Sequence, residues 1–318
     1  MRKIHFLLLI INLIVIFCCA ADSNQGILSL VSYSKKAGVG YRVYVEDGYA
    51  YITNNKGVVI FDVCQPEHPR KVGEIRSGVT FGICVDNDLV YASSRSGLVI
   101  VDVNDLKNPV KLGEYIGKEE TLCIHVEGKY AYISSNRGLE ILDISDPGKV
   151  SPVTHYGDKW AEGVTVVEGI AYLACRSTGI QVIDATDPAS PQMITTVADT
   201  EGAWDVHVHG DFLYAGCHGN GIKILNISNR KSPRIIGSFR DDDRGEALGV
   251  WGDGKHLFVA DNYNIEVLDV SDPANPREVG EYKKVVGAHD IFFDGDYIYV
   301  AEAKKGLIIF ELKQDLRH

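Results

Sequence analysis

The chain has 318 residues, 45% of them hydrophobic and 24% charged, a composition that can bury a large core and is unlike that of a disordered chain. Its 43 acidic residues against 32 basic ones leave a formal charge of -11. That balance argues against a nucleic-acid partner, because phosphate contact needs clustered Lys and Arg, and it disfavours an anionic membrane surface.

The first residues read as an export signal: Arg2 and Lys3, an apolar run from Phe6 to Phe17, then small Ala20 and Ala21. The run is short for a spanning helix, so the mature chain is expected to start near Asp22 with no transmembrane segment. Cys18 or Cys19 offers an alternative lipid anchor, although Phe17 and the doubled Cys fit a lipoprotein site imperfectly. Residues 1–21 are therefore assigned to a signal peptide and 22–318 to one domain, extracytoplasmic, secreted or at the cell surface.

From there the chain repeats. Apolar runs recur at Val58–Val63 (VVIFDV), Leu98–Val103 (LVIVDV), Leu139–Ile144, Ile180–Ala185, Ile222–Ile227, Ile265–Val270 and Leu307–Leu312. The acidic or amide position within them falls at Asp62, Asp102, Asp143, Asp184, Asn226, Asp269 and Glu311, at intervals of 40, 41, 41, 42, 43 and 42 residues. Each run is short, rich in β-branched residues, preceded by Gly in six of seven copies, and followed in most by a Pro-bearing turn; it reads as a strand. Copies such as LVIVDV do not alternate, which means that both faces are buried.

Each repeat holds three further strands. In the second, an inner strand covers Phe81 to Val85, another Leu89 to Ser93, the apolar run follows, and a fourth spans Val110 to Tyr115, with turns at Asn87-Asp88, Ser96-Gly97 and Asn108-Pro109. Four antiparallel strands in about 41 residues make one blade, so the fold class is all-β, a seven-bladed β-propeller. The last repeat lacks a fourth strand. The segment Ile27 to Tyr33 resembles the missing piece and is expected to complete the last blade and close the ring.

The LVIVDV run with its following Asn-Asp and Pro109, the run Asp143-Ile144-Ser145-Asp146-Pro147, and the run from Asp269 to Pro276 together resemble the LVIVD-repeat family of β-propellers. The resemblance spans about residues 26 to 314. It implies an exported or surface-attached protein of bacterial or archaeal type, and brings no shared catalytic motif.

The recurrent Asp is expected to accept backbone N–H bonds of the Ser-Asp-Pro turn, since Asn226 replaces it and an amide accepts the same bond. Special chemistry should instead gather at the channel mouth. The residues leading into the inner strands are Tyr41-Arg42, Phe81-Gly82, Leu122-Cys123, Glu162-Gly163, Trp204-Asp205, Leu248-Gly249 and His289-Asp290. A second set, between strands two and three, is Asn54, Ser94, Ser135, Cys175, Cys217, Asp261 and Glu302.

Ligand-binding candidates are Trp160, Glu162, Trp204, Asp205, His289 and Asp290, an aromatic-plus-carboxylate surface of the kind that holds sugars or peptide segments. Asp205, His289 and Asp290 are the weak catalytic candidates, as acid and base. Asp261 and Glu302 are the weak metal candidates. Arg42 and Asp290 occupy equivalent positions in neighbouring blades, so a charge pair across the closure is the plainer reading for them. His207 and Trp251 are expected to pack between blades.

The acidic loop Asp241 to Glu246 lacks the alternating spacing of a calcium loop. Cys64, Cys84, Cys123, Cys175 and Cys217 form no disulfide framework and should be buried free thiols, with a Cys175–Cys217 pair as a remote alternative. No cofactor is implied, and a monomer is expected.

The sequence points to a binding module for a protein, peptide or glycan at the mouth. Its alternatives are an extracytoplasmic hydrolase or lyase, or a purely structural surface module.

Overall fold

In the computed structural model, which describes residues 27–240 and 245–313, the repeats fold into seven four-stranded antiparallel sheets. The leader, with Cys18 and Cys19, and the Asp241–Arg244 part of the acidic loop lie outside the described residues. Blade one runs from Val43–Glu46 to Arg70–Arg76 and blade two from Thr80–Asp86 to Val110–Ile116; in blades one to six the inner strand comes first in sequence. Among the described residues no helix is long and apolar enough to cross a membrane.

Ring closure is as the sequence predicts. Leu28–Ser34 pairs antiparallel with Gly306–Leu312, with Leu28 opposite Leu312 and Ser34 opposite Leu307, so blade seven takes its outermost strand from the start of the chain. That pairing uses the hydrogen-bonding edge that Gly306–Leu312 would otherwise leave open.

The core is divided among the seven gaps between neighbouring blades. In blade two, Leu98 and Ile100 join Ile124 and Ile133 of blade three, while Val101 joins Val58 and Ile60 of blade one. The strand Gly97–Asp102 therefore buries both faces, which is why its run is continuously apolar. Fully buried Leu98 and Ile100 each contribute about 1.5–3 kcal/mol to that packing. The glycine ahead of the run has its own cause: Gly97 sits at φ +140°, and a Cβ there would lie 2.0 Å from the Tyr115 carbonyl oxygen.

The recurrent acid is a turn device. Asp102 Oδ1 accepts from the Asn104 N–H at 2.8 Å, Asp143 from Ser145 at 2.9 Å, Asp269 from Ser271 at 3.0 Å, and Asn226 does the same for Ser228 at 3.0 Å. The equivalence of Asn226 follows from geometry, since one carbonyl-type oxygen is all the turn requires.

Candidate functional site

Just where the inner strands reach one face of the ring, five blades carry a β-bulge at the same place. The pairing slips between Thr80 and Gly82, Thr121 and Cys123, Ala161 and Gly163, Ala247 and Gly249, and Ala288 and Asp290. The extra residue in each, respectively Phe81, Leu122, Glu162, Leu248 and His289, has no partner across the ladder and is re-aimed by the bulge. Tyr41 and Trp204 take that place in blades one and five. Together these seven residues wall a pocket of about 230 Å³ whose floor is Arg42.

The pocket is mostly aromatic and aliphatic. His289, Tyr41 and Phe81 follow one another around blades seven, one and two, with ring centroids 6.0 and 5.4 Å apart. Opposite, the Arg176 guanidinium lies over the Trp204 ring at 4.4 Å and reaches Glu162 at 3.3 Å. Burial pushes the Glu162 carboxyl above its ordinary value, while Arg176 and a hydrogen bond from Trp160 pull the other way. Trp160 itself is 43% exposed and lies outside the pocket wall.

One residue further in, the inner strands crowd the axis. A Cβ on Gly82 would stand 2.8 Å from the Cys123 Cα, and one on Gly249 2.7 Å from the Asp290 Cα. Side chains enter this level at Arg42, Cys123, Asp205 and Asp290. Arg42 Nη1 donates to Asp205 Oδ1 at 2.9 Å and to Asp290 Oδ1 at 3.1 Å. The remaining oxygens are also occupied: Asp205 Oδ2 accepts from Val250 N–H at 3.1 Å and Asp290 Oδ2 from Val43 N–H at 2.9 Å, each a bond into the next blade.

Burial would depress the Arg42 pKa, but Asp205 and Asp290 outweigh it and hold the guanidinium charged. Asp290 is pushed up to about 6, first by burial, with Arg42 opposing and Asp205 adding. Hydroxyls do the same stitching elsewhere. Thr53 Oγ1 accepts from Arg42 N–H at 2.9 Å and donates to the Phe81 carbonyl at 3.1 Å; Ser134 Oγ accepts from Cys123 N–H at 3.0 Å and donates to the Glu162 carbonyl at 3.1 Å.

The sequence-derived candidates thus separate by depth. Glu162, Trp204 and His289 share the pocket; Asp205 and Asp290 lie beneath it in the Arg42 knot. The expected Arg42–Asp290 pair is present, with Asp205 as a third member. His289 Nδ1 donates to the Gly40 carbonyl at 2.8 Å, and neither aspartate is hydrogen-bonded to His289.

Asp261 and Glu302 close hairpins. Asp261 Oδ1 accepts from Tyr263 N–H at 2.9 Å, and Glu302 Oε2 from Lys304 N–H at 2.6 Å and from Lys305 N–H. Asn54 does the same for Lys56 N–H at 2.7 Å. Among the described residues no group of three or more His, Cys, Asp or Glu is placed to hold a metal ion. The five cysteines are free, with Cys175 and Cys217 buried; Cys64, expected inside, is exposed at the blade-one turn.

Tyr41, Phe81, Leu122 and Leu248 wall the pocket too, although as apolar residues at the start of a strand they read as core. The signal lies in the alignment of the repeats, where each occupies the position of Trp204 and His289. His207 and Trp251 pack together across blades five and six, as expected, with tilted rings 4.0 Å apart, and both also line the channel below the knot.

The sequence profile of the LVIVD repeat matches seven segments, residues 37–76, 77–116, 120–158, 159–199, 202–241, 244–284 and 287–310, well over half the chain. No curated protein matches it significantly. Among solved structures, the Cps50 (Swd1) β-propeller domain of Myceliophteria thermophila is similar at a TM-score of 0.74 and 11% identity, covering 90% of this chain and 100% of that one. U3-55K gives 0.71 at 10% identity, covering 90% and 98%. The computationally designed Ika8 protein gives 0.64 at 8%, covering 86% and 83%. At these identities the likeness is one of fold.

Proposed function

The chain belongs to the LVIVD-repeat family of β-propellers, and from that premise we propose that it is an exported, non-enzymatic binding module that receives a large apolar or aromatic side chain of a protein or peptide partner in its mouth pocket. One observation carries the reading: all seven blades send their bulge-level residue into a single pocket, and five of those residues (Tyr41, Phe81, Leu122, Trp204 and Leu248) are apolar or aromatic. A volume of about 230 Å³ suits one or two side chains better than an extended sugar chain. Glu162, Arg176 and His289 at the rim supply the few polar groups that orient such a guest. Export rests on the Arg2-Lys3 and apolar leader pattern.

A hydrolytic role for Asp205, His289 and Asp290 has less support. Both aspartates spend their oxygens on Arg42 and on backbone N–H groups of the next blade, and neither orients the imidazole. A random-peptide display against the full chain, run beside a glycan array, tests the proposal. Enriched peptides should share an aromatic or large aliphatic residue and should lose about tenfold or more in affinity for Trp204→Ala and Phe81→Ala. Peptides that bind both variants like the wild type, or binding of glycans alone, would overturn it.

A further inference from the structure

Beneath the Arg42 knot the channel opens into a second, separate chamber of about 430 Å³. Its wall is formed two residues further along each inner strand, and its two halves differ in kind. Over blades five, six, seven and one, His207, Trp251, Phe292 and Tyr44 stand ring against ring, with centroids 4.0, 4.1 and 5.2 Å apart. Facing them over blades two to four are Cys84, His125 and Thr165.

This second half is polar and faces the chamber. Thr165 and His125 line its wall, and neither the Thr165 hydroxyl nor the His125 ring is taken up by a hydrogen bond to a described residue, so both face an occupant with donor or acceptor capacity to spare. Burial also holds the His125 and His207 pKa values down at about 4, so at neutral pH both rings are uncharged and each keeps one nitrogen able to accept a hydrogen bond.

Charge decides the sign of that occupant. The lining carries four carboxyl groups, Asp205 and Asp290 in the roof and Glu46 and Asp86 at the far end, against one guanidinium, Arg42. Aromatic faces on one side, unmatched acceptors on the other and an excess of carboxylates describe a receptor for an N–H-bearing cation with an apolar body.

We propose that the lower chamber binds a small organic ammonium ion, entering past Glu46 and Asp86, with its apolar body against Trp251 and Phe292 and its ammonium protons directed to His125, Thr165 and the carboxylates. This goes beyond the mouth reading and does not depend on it, since the Arg42 knot separates the two spaces.

The test is isothermal titration calorimetry of the full chain at low salt with phenethylammonium, with neutral 2-phenylethanol and with potassium chloride, each also followed by tryptophan fluorescence. Saturable binding of phenethylammonium is expected, with the alcohol at least about tenfold weaker and potassium without effect. Glu46→Gln and Asp86→Asn, at the chamber's far rim, should each weaken it by about threefold to tenfold, and Trp251→Leu by about tenfold. Trp204→Ala in the mouth should leave it unchanged, so this result and the peptide result fail independently. Absence of saturable ammonium binding, equal binding of the alcohol, or unchanged affinity in both carboxylate variants would overturn the proposal; the carboxylate pair decides if Trp251→Leu does not fold.

Discussion

Arg42 of blade one reaches almost across the ring to Asp205 of blade five, donating at 2.9 Å, while its second carboxylate, Asp290, belongs to the adjacent blade seven. A single side chain thereby ties three inner strands together at the axis. Arg42→Met should cost about 3–5 kcal/mol in denaturant unfolding, because it strands two buried carboxylates. Restoring neutrality with Asp205→Asn and Asp290→Asn in the same protein should return much of that loss. A single variant as stable as wild type would mean that the knot is not what holds the axis.

The imidazoles set the acid limb of stability. His125 and His207 titrate at about 4 in the fold against an ordinary value of 6.5, so between these pH values the unfolded chain binds more protons and stability rises with pH. Asp290, raised to about 6 from 3.8, works oppositely and loses stability as pH climbs over nearly the same window. Glu46 and Glu162, raised by burial, act on the same side as Asp290, so the histidine share is read by difference. Between pH 4.5 and 6.5 the unfolding free energy of the wild type should rise relative to that of His125→Gln/His207→Gln, and parallel profiles of the two proteins would show that the imidazoles do not set this limb.

Thiol reactivity should report the fold. Burial raises Cys84 to about 12, Cys175 to about 11 and Cys217 to about 12, and raises Cys123 as well, whereas Cys64 is exposed. Since the thiolate is the reactive form, an aromatic disulfide such as dithiobis(2-nitrobenzoate) should modify Cys64 rapidly, the half-buried channel-wall Cys84 and Cys123 slowly, and Cys175 and Cys217 only on unfolding. Rapid native labelling of Cys175 or Cys217 would contradict the packing between blades.

Asp143→Asn should leave the melting temperature unchanged, because an amide oxygen accepts the same bonds, and Asp143→Ala should lower it, because it removes the acceptor of both the Ser145 N–H and the Ser145 hydroxyl. Blade five already contains the Asn solution at Asn226. Equal losses in both variants would show that charge, not the accepted N–H bond, matters at this position.

Deleting residues 26–36 removes the outer strand of blade seven and with it Leu28, which packs with Leu312 and Phe310. The melting temperature should fall by about 10 °C or more, as a loss of several kcal/mol requires in a domain of this size. An unchanged value would refute closure by the N-terminal strand.

Blade number, strand order and the closing strand were legible because each is written as spacing and hydrophobic pattern, quantities that survive from repeat to repeat. The Asp of LVIVDV was legible too, once Asn226 showed that an acceptor sufficed. The site was legible only in part. Glu162, Trp204 and His289 stand out by chemistry, but Tyr41 looks like core, as do Phe81, Leu122 and Leu248 until the bulge turns those three to the axis. A bulge leaves no mark in composition, only one residue of slippage in a pairing. The third partner of Arg42 was hidden for a related reason: Asp205 lies four blades away along the chain, and no linear spacing encodes a contact through the centre of a ring. His125 and Thr165 were missed because an unpartnered polar side chain is recognisable only when its surroundings are known.

The bulges also separate two kinds of sequence constraint. A residue such as Leu98 is fully buried in the gap between blades two and three, so its replacement disturbs the packing that holds two blades together. Phe81, Leu122, Glu162, Leu248 and His289 sit outside the register of their own ladders, where a change of side chain alters the pocket and leaves the strand pairing intact. The ring thus behaves as a fixed frame with interchangeable tiles at its mouth, and recognition can diverge tile by tile at little expense to folding.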